Sequence, residues 1–159
     1  MIFIGADHAG FKLKEEIKEL FNSMNIEFED LTPDFSEGDD YPDSALKVAE
    51  KVVESSSRGI ILCGTGIGDS IAANKVPGIR AALCRQKEEA ELSRAHNDSN
   101  ILILSGWFEE KGKLQGIIEA WLNTEFEGGR HERRLTKIKE IEKTQVRTKI
   151  KMLGANCET

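Results

Sequence analysis

The chain has 159 residues, of which 39% are hydrophobic and 31% charged, and this balance excludes a disordered chain and predicts one folded domain. A net charge of −6 excludes nonspecific nucleic-acid binding, and apolar runs of only strand length exclude a membrane-spanning helix. The absence of zinc-like spacing among the cysteines, and of a signal-peptide pattern at the N-terminus, predicts a cytoplasmic protein without disulfides or a metal.

Strand-like and helical patterns alternate along the first 123 residues, as they do in repeated β-α units. The third to fifth strands are nearly continuous apolar runs, which is expected when helices cover both faces of a parallel sheet. We therefore predict a flavodoxin-like, doubly wound sheet of five parallel strands with helices on both faces. The predicted strands lie at about 2–5, 26–31, 59–63, 80–84 and 100–104, and the helices at about 11–23, 43–56, 69–76, 86–96 and 110–123.

A further helix is predicted from about 132 to 153, where apolar residues recur at helical spacing between charged ones. The compact domain leaves this stripe little surface to cover, so we predict that it docks onto a second copy of the chain; cover within one chain is the alternative. The predicted organisation is one domain over 1–153 and a flexible tail over 154–159. The stripe consists of Leu135, Ile138, Ile141, Val146, Ile150 and Leu153.

A thiol at the end of the third predicted strand is followed by a glycine-rich loop, Cys63-Gly64-Thr65-Gly66-Ile67-Gly68-Asp69-Ser70. Glycines let a backbone point several N–H groups at one ligand, and the helix N-terminus that follows favours negative charge. The loop therefore predicts an anion site beside a functional Cys63. Cys84 lacks such a loop and is predicted to be a buried apolar residue, whereas Cys157 has no evident role.

Spacing argues against three other loop types. The dinucleotide fingerprint G-x-G-x-x-G fails by one residue, because the glycines here are 64, 66 and 68. A P-loop needs lysine after its last glycine, and a cysteine phosphatase loop needs an arginine where Asp69 stands.

Other polar side chains follow the strands or end a helix. Asp7 and His8 follow the first strand, where capping of the next helix is an equally good interpretation. His96 ends the fourth helix, where contact with terminal carbonyls is the alternative. Arg130 and Arg134 share one helix face and could bind a phosphate, although a solvated basic face is the default for such a pair.

Taken together, these motifs resemble the family of ribose-5-phosphate isomerase type B and the galactose-6-phosphate isomerase subunits. The resemblance covers about the first 145 residues and is carried by several motifs in the same order. These are Gly5-Ala6-Asp7-His8-Ala9-Gly10-Phe11, Asp40-Tyr41-Pro42-Asp43, Cys63-Gly64-Thr65-Gly66-Ile67-Gly68, Ile71-Ala72-Ala73-Asn74-Lys75, Ser93-Arg94-x-His96-Asn97-Asp98 and Gly128-Gly129-Arg130-His131-x-x-Arg134.

The resemblance implies aldose–ketose isomerisation of a sugar phosphate through an enediolate, without metal or cofactor. Cys63 is implied to be the base, assisted by Thr65, and His96 to open the sugar ring. The N–H groups from Gly64 to Ser70, including Gly66, Ile67 and Gly68, are implied to stabilise the enediolate. The implied substrate-binding side chains are Asp7, Tyr41 and Asn97 for the sugar and His8, Arg130 and Arg134 for the phosphate.

The family's sites are shared between two subunits, with the Cys63 loop from one meeting His96 and Asn97 from the other. Because this chain carries both halves, the resemblance implies a homodimer and also admits a dimer of dimers. Two positions depart from the family pattern. Asp69 stands where some members have a catalytic glutamate; we favour a helix-capping role for it over a catalytic one. Trp107 stands where many members have a phosphate-binding arginine.

Ribose 5-phosphate is the expected substrate, and allose or galactose 6-phosphate are the alternatives, since a few pocket side chains separate them. Two further hypotheses stay open: a flavodoxin-like module that binds a nucleotide or FMN without catalysis, and an inactive subunit that pairs with a different chain.

Overall fold

The computed structural model describes residues 1–108 and 112–155, with side chains for residues 1–108 and 112–145. Strands and helices alternate over these ranges as the sequence predicts. In chain order they are β1 (Ile2–Ala6), α1 (Phe11–Ser23), β2 (Phe28–Asp30), α2 (Tyr41–Ser55), β3 (Arg58–Cys63), α3 (Ile67–Ala73), β4 (Ala81–Leu83), α4 (Lys87–Asn97), β5 (Ile101–Ser105), α5 (Leu114–Asn123) and α6 (Arg130–Ala155).

The five strands form one parallel sheet in the order β2-β1-β3-β5-β4. The chain passes from β1 to β2 on one side and then returns to place β3 on the other side of β1. The strand order therefore reverses between β1 and β3, which is the point where doubly wound sheets bind their ligands. The predicted five-stranded, doubly wound sheet is confirmed.

The central strands contribute side chains to two separate apolar cores, one on each face of the sheet. In β3, Ile60 and Leu62 belong to a core that includes residues of α1, α4 and α5, whereas Ile61 belongs to a core with α2 and α3. Successive side chains of a strand point to opposite faces, so a strand covered on both faces must be apolar at every position. This requirement explains the continuous apolar runs, and it confirms the helices on both faces.

The edge strands are shorter than predicted. β2 and β4 have 3 residues each, against the predicted ranges 26–31 and 80–84, because an edge strand is paired on one side only. Helix α3 begins at Ile67 and ends at Ala73, before the predicted end at 76. The Asn74 side chain ends it by donating to the Ser70 carbonyl at 2.8 Å and accepting from the Ala81 N–H at 2.9 Å. The predicted start of α5 at about 110 lies outside the described residues.

A second compact unit begins at Glu127 and consists of α6 with the residues that lead into it. The predicted C-terminal helix is confirmed and extends two residues into the predicted tail; residues 156–159, Cys157 among them, lie outside the described part. Ile138 and Ile141 of the predicted stripe are 42% and 58% exposed, and the side chains of Val146, Ile150 and Leu153 are not among those described. Within the described residues, no helix is both long and apolar enough to cross a membrane.

Candidate active site

The loops after β1 and β3 touch at the point where the strand order reverses. The Asp7 N–H donates to the Leu62 carbonyl at 3.2 Å. A Cβ atom on residue 10 would lie 2.3 Å from that same carbonyl oxygen and 2.8 Å from the Cys63 nitrogen. Only glycine permits this approach, which brings the start of α1 against the end of β3. The structure thus places Asp7 beside the Cys63 loop.

The loop after Cys63 folds back on its own sulfur. The Gly66 N–H donates to Cys63 Sγ at 3.2 Å, and Gly66 adopts a φ of +76°, a conformation that favours glycine. The Ile67 N–H donates to Thr65 Oγ1 at 3.2 Å, and the Ser70 N–H donates to the Gly66 carbonyl at 3.1 Å. The expectation that every N–H from Gly64 to Ser70 faces a ligand is therefore wrong for Ser70, whose N–H serves the helix, and the Gly66 and Ile67 groups already have acceptors.

The Cys63 thiol is 4% exposed. Burial, followed by the hydrogen bond and charge of the adjoining Asp69 carboxyl, raises its pKa to about 12, while the N–H groups of Gly66 and Asp69 oppose the shift to a smaller extent. Both raising effects disfavour the thiolate, the form that acts as a base. At neutral pH the sulfur of the free protein therefore carries its proton.

The Asp69 side chain is fully buried. Among the described residues, neither carboxylate oxygen has a hydrogen-bond partner of ordinary geometry. The pKa of Asp69 is raised to about 7, chiefly by burial; the hydrogen bond with the Cys63 thiol opposes this shift in part, and the charge of Asp7 contributes to it. The predicted helix-capping role is wrong, because a capping carboxylate accepts N–H groups of the first turn. The shorter aspartate is instead enclosed beside the thiol.

Asp7 and His8 face different surroundings. Asp7 is buried and accepts the Gly10 N–H at 2.9 Å, and burial is the main reason that its pKa is raised. The exposed His8 donates from its N–H and from Nδ1 to Oδ1 of Asp39, at 2.8 and 2.9 Å. The hydrogen bond with Asp39 is the chief reason that the pKa of His8 is raised. Sequence reasoning missed Asp39, although the acidic run Glu37-Gly38-Asp39-Asp40 marked the segment.

Two aromatic rings border the glycine loop. A Cβ on residue 68 would lie 2.6 Å from the Tyr41 ring, and one on residue 64 would lie 2.7 Å from the Trp107 ring. The backbone N–H of Trp107 donates to the Gly64 carbonyl at 3.0 Å, and that carbonyl also accepts from Ser105 Oγ at 2.7 Å. The loop glycines therefore admit aromatic neighbours, and Ser105, which lies at the end of β5, fixes the Gly64 carbonyl.

His96 and Asn97 lie at the opposite end of the parallel strands from Cys63. They end α4, where the Asn97 carbonyl accepts from Arg80 Nε at 3.0 Å, and Arg80 directly precedes β4. Cys63 ends β3, so the length of the parallel strands, about 3.3 Å per residue, separates the two groups. His96 is half-buried and Asn97 is exposed. The structure therefore does not bring these two residues to the Cys63 loop of the same chain.

Arg130 and Arg134 lie in the second unit, one turn apart near the start of α6, and both are exposed. Arg130 Nε donates to Nε2 of His131 at 3.2 Å. Gly128 and Gly129 precede the helix with φ values of +67° and +55°, which explains why two glycines stand before the basic pair.

Known proteins are similar to this chain in both sequence and fold. A ribose-5-phosphate isomerase B of Escherichia coli is 43% identical over 142 residues, 89% of this chain and 95% of the relative. The solved structure of Clostridium thermocellum ribose-5-phosphate isomerase B is 49% identical, with a TM-score of 0.87, and the match covers 91% of this chain and 98% of that one. The Mycoplasma genitalium enzyme, solved with bound ribulose-5-phosphate, is 44% identical with a TM-score of 0.85, over 89% and 95% of the two chains.

The family model described as Ribose/Galactose Isomerase matches residues 2–138, which include the Cys63 loop, the end of α4 and the arginines of α6. The chain therefore belongs to the ribose/galactose isomerase family.

Proposed function

We propose that the chain interconverts D-ribose 5-phosphate and D-ribulose 5-phosphate through an enediolate. The observation that carries this proposal is the meeting of a thiol and two buried carboxyls, Cys63 with Asp7 and Asp69, beside a glycine-rich loop where the strand order reverses. Removal of a proton next to a carbonyl needs a base that is shielded from water and donors for the developing oxyanion. Membership of an isomerase family supports the same reaction class.

Cys63 takes the proton from one substrate carbon and returns it to the next, with Thr65 at the substrate oxygens. Loop N–H groups stabilise the enediolate, a contribution of about 3 kcal/mol for a single donor in other enzymes. His96 opens the sugar ring as acid and base. Asp7, Tyr41 and Asn97 hold the sugar.

The phosphate binds to His8, Arg130 and Arg134. The Asp39 carboxylate supports this role of His8, because it holds Nδ1 at 2.9 Å and raises the pKa of the imidazole. A protonated histidine supplies positive charge to a phosphate. The free thiols of Cys63 and Cys84 support a cytoplasmic location, where thiols stay reduced.

The complete site combines two copies of the chain in a homodimer. His96 and Asn97 lie at the amino-terminal ends of the parallel strands, whereas Cys63 lies at a carboxyl-terminal end. One sugar phosphate therefore cannot contact Cys63 and His96 of the same copy. Exposed apolar side chains adjoin the Cys63 loop, namely Ile67 at 51% and Ile71 at 58%. An apolar surface beside a polar site is typical of a subunit interface. The exposed Ile138 and Ile141 of α6 support a further contribution of that helix.

An isomerase assay with ribose 5-phosphate, allose 6-phosphate and galactose 6-phosphate tests the reaction. We expect the wild type to act best on ribose 5-phosphate, and Cys63→Ala to lower kcat/KM by about 10³-fold, as removal of a general base does. Cys84→Ala, which removes another buried thiol, is the control and should keep the rate within about threefold of wild type.

Each alternative has its own result in this assay. Faster turnover of a 6-phosphate would correct the substrate but keep the reaction. Failure of all three sugar phosphates, together with thermal stabilisation by FMN or a nucleotide, would contradict the proposal. Activity restored only by a different added chain would identify an inactive subunit.

Mixing two inactive variants tests the shared site. Cys63→Ala and His96→Ala are denatured together and refolded, so that about half of the dimers contain one copy of each. Each mixed dimer has one site with both groups intact, and we expect roughly a quarter of the wild-type activity. Mixtures that stay as inactive as their components would show that Cys63 and His96 act from the same copy.

A further inference from the structure

Apart from the Cys63 thiol beside it, the Asp69 carboxyl has no hydrogen-bond partner, and it is the one buried side-chain group among the described residues in that state. An unpartnered buried carboxylate is costly, and a sequence keeps one where it serves a purpose beyond folding. The group lies beside the thiol that is proposed as the base, in the first turn of α3. Its position therefore raises the question of where the Cys63 proton goes.

The thiol has few groups to which it could give that proton. Cys63 is 4% exposed, so bulk water has little access to it. Its Sγ accepts the Gly66 N–H at 3.2 Å, a contact that can stabilise a thiolate but cannot receive a proton. His8 lies on the neighbouring loop, and its Nδ1 is engaged with Asp39. Asp69 is the carboxyl that adjoins the sulfur.

We propose that Asp69 accepts the proton of Cys63, so that the thiol and the carboxyl form one acid–base couple in which the sulfur contacts the substrate and the carboxyl holds the displaced proton. This inference rests on the proposed isomerase function. Asp69 acts through Cys63, so it is a positioning residue for the proton rather than a group that contacts the sugar.

The proton transfer balances without any further reactant. The S–H bond breaks and an O–H bond forms on Asp69, while the electron pair stays on sulfur. The thiolate then removes the proton from C2 of the aldose, and the C–H electron pair becomes part of the enediolate. The hydroxyl proton of the enediolate moves from O2 to O1, beside Thr65, before sulfur delivers its proton to C1. Asp69 finally returns its own proton to sulfur.

The charges of the surroundings favour a couple over two independent groups. Cys63 of β3 and Asp7 after β1 are the titratable groups that act on Asp69 from neighbouring elements, and the Tyr41 ring of α2 lies against the adjacent Gly68. If Cys63 ionised alone, its charge would lie beside the carboxylates of Asp69 and Asp7. Transfer within the couple keeps one negative charge on the pair, so no second charge is buried.

The pKa values give this couple a distinctive pH dependence. The pKa of Asp69 is raised to about 7, chiefly by burial, so the carboxylate that accepts the proton forms near neutral pH. Above that pH, the fraction of the couple present as thiolate and carboxylic acid stays constant, because both arrangements of the couple hold one proton. A lone buried thiol behaves differently, since its thiolate fraction rises about tenfold with each pH unit.

Alkylation of Cys63 by iodoacetamide, followed by mass spectrometry of the Cys63 peptide from pH 6 to 10, tests this difference without relying on catalysis. In the wild type we expect the rate to rise to a plateau above about pH 7. In Asp69→Asn the plateau should be absent, and the rate should rise about tenfold per pH unit across the same range. The pH profile of kcat/KM should change in the same way.

Two further variants complete the design. Asp34→Asn makes the same chemical change at an exposed loop residue and should keep the wild-type profile. Asp69→Leu, an apolar side chain of similar size, replaces Asp69→Asn if the amide variant does not fold, and the same loss of the plateau is expected.

The outcomes separate this inference from the proposed function. A plateau that persists in Asp69→Asn overturns the inference and leaves the isomerase function intact. Activity that survives Cys63→Ala but not Asp69→Asn also overturns it, because the carboxyl would then take the substrate proton itself. A plateau in the wild type and its loss in Asp69→Asn, without turnover of any sugar phosphate, would support the couple and contradict the proposed function.

Discussion

Asp30 and Asp69 are both largely enclosed carboxyls, yet their surroundings are opposite. Asp30, at the end of β2, is bonded by Lys14 Nζ at 2.9 Å and Lys18 Nζ at 2.8 Å. Burial alone would raise the pKa of Asp30, but the hydrogen bonds from Lys18, Lys14 and the Thr32 N–H outweigh it, and the pKa is lowered. Asp69 lacks such donors, and its pKa is raised to about 7.

The comparison shows how one residue type serves two purposes. With its partners, the Asp30 carboxylate holds the start of the β2–α2 connection against α1, and it stays ionised at any physiological pH. Without partners, the Asp69 carboxyl can gain or lose a proton near neutral pH, which is the property that acid–base chemistry needs. Stability and reactivity are thus divided between two carboxyls, one at the end of β2 and one in the first turn of α3.

The largest expected effect on stability comes from removing Lys14, one of the two lysines that bind the Asp30 carboxylate. Lys14 is fully buried, and it also donates to the Thr32 carbonyl. We expect Lys14→Met to lower the free energy of unfolding by about 3 kcal/mol, because it leaves part of the Asp30 charge unmatched. Urea unfolding at pH 7 measures this loss. Since the folded pKa of Asp30 is lowered, its stabilisation is present above the unfolded value near about 4 and is lost as pH falls through the folded value, so the cost should shrink in acid.

A smaller effect of opposite sign on the free energy of unfolding is expected at Asp69. The folded pKa of Asp69 is raised, so its contribution to stability is present at low pH and is lost as pH rises from about 4 to about 7. We expect Asp69→Asn to raise the free energy of unfolding by about 1–2 kcal/mol at pH 8, because a neutral amide replaces an unpaired buried carboxylate. The gain should vanish near pH 4. Urea unfolding at both values checks this, and destabilisation at pH 8 would show that Asp69 is held by partners after all.

The smallest effect is expected at an exposed ion pair. Lys87 and Glu91 lie 3.5 Å apart on α4, with side chains 59% and 43% exposed. Lys87→Ala should change the free energy of unfolding by less than about 0.5 kcal/mol, since solvent screens such a pair. An effect comparable to that of Lys14→Met would show that burial does not decide how much an ion pair of this chain contributes to stability.

Periodicity was sufficient for the sheet and its helices because a strand covered on both faces must be apolar throughout. It was less informative for β2 and β4, whose short ladders depend on one neighbouring strand. The residues next to strand ends, Asp7 and Cys63, could be selected from the sequence because parallel strands bring their carboxyl ends to one edge. The partnership of His8 with Asp39 could not, since it joins residues 31 positions apart through an irregular loop.

By itself, the sequence determined the alternation of strands and helices, the glycine-rich loop after Cys63 and the family resemblance, because each is written in local spacing. Only the tertiary structure decided the state of Asp69. In the sequence it is an acidic residue in a first helical turn, where a capping role is the ordinary expectation. Whether a carboxyl is capped, paired or left alone beside a thiol depends on which atoms the packing of β1, β3 and α3 brings around it, and local spacing carries no record of that.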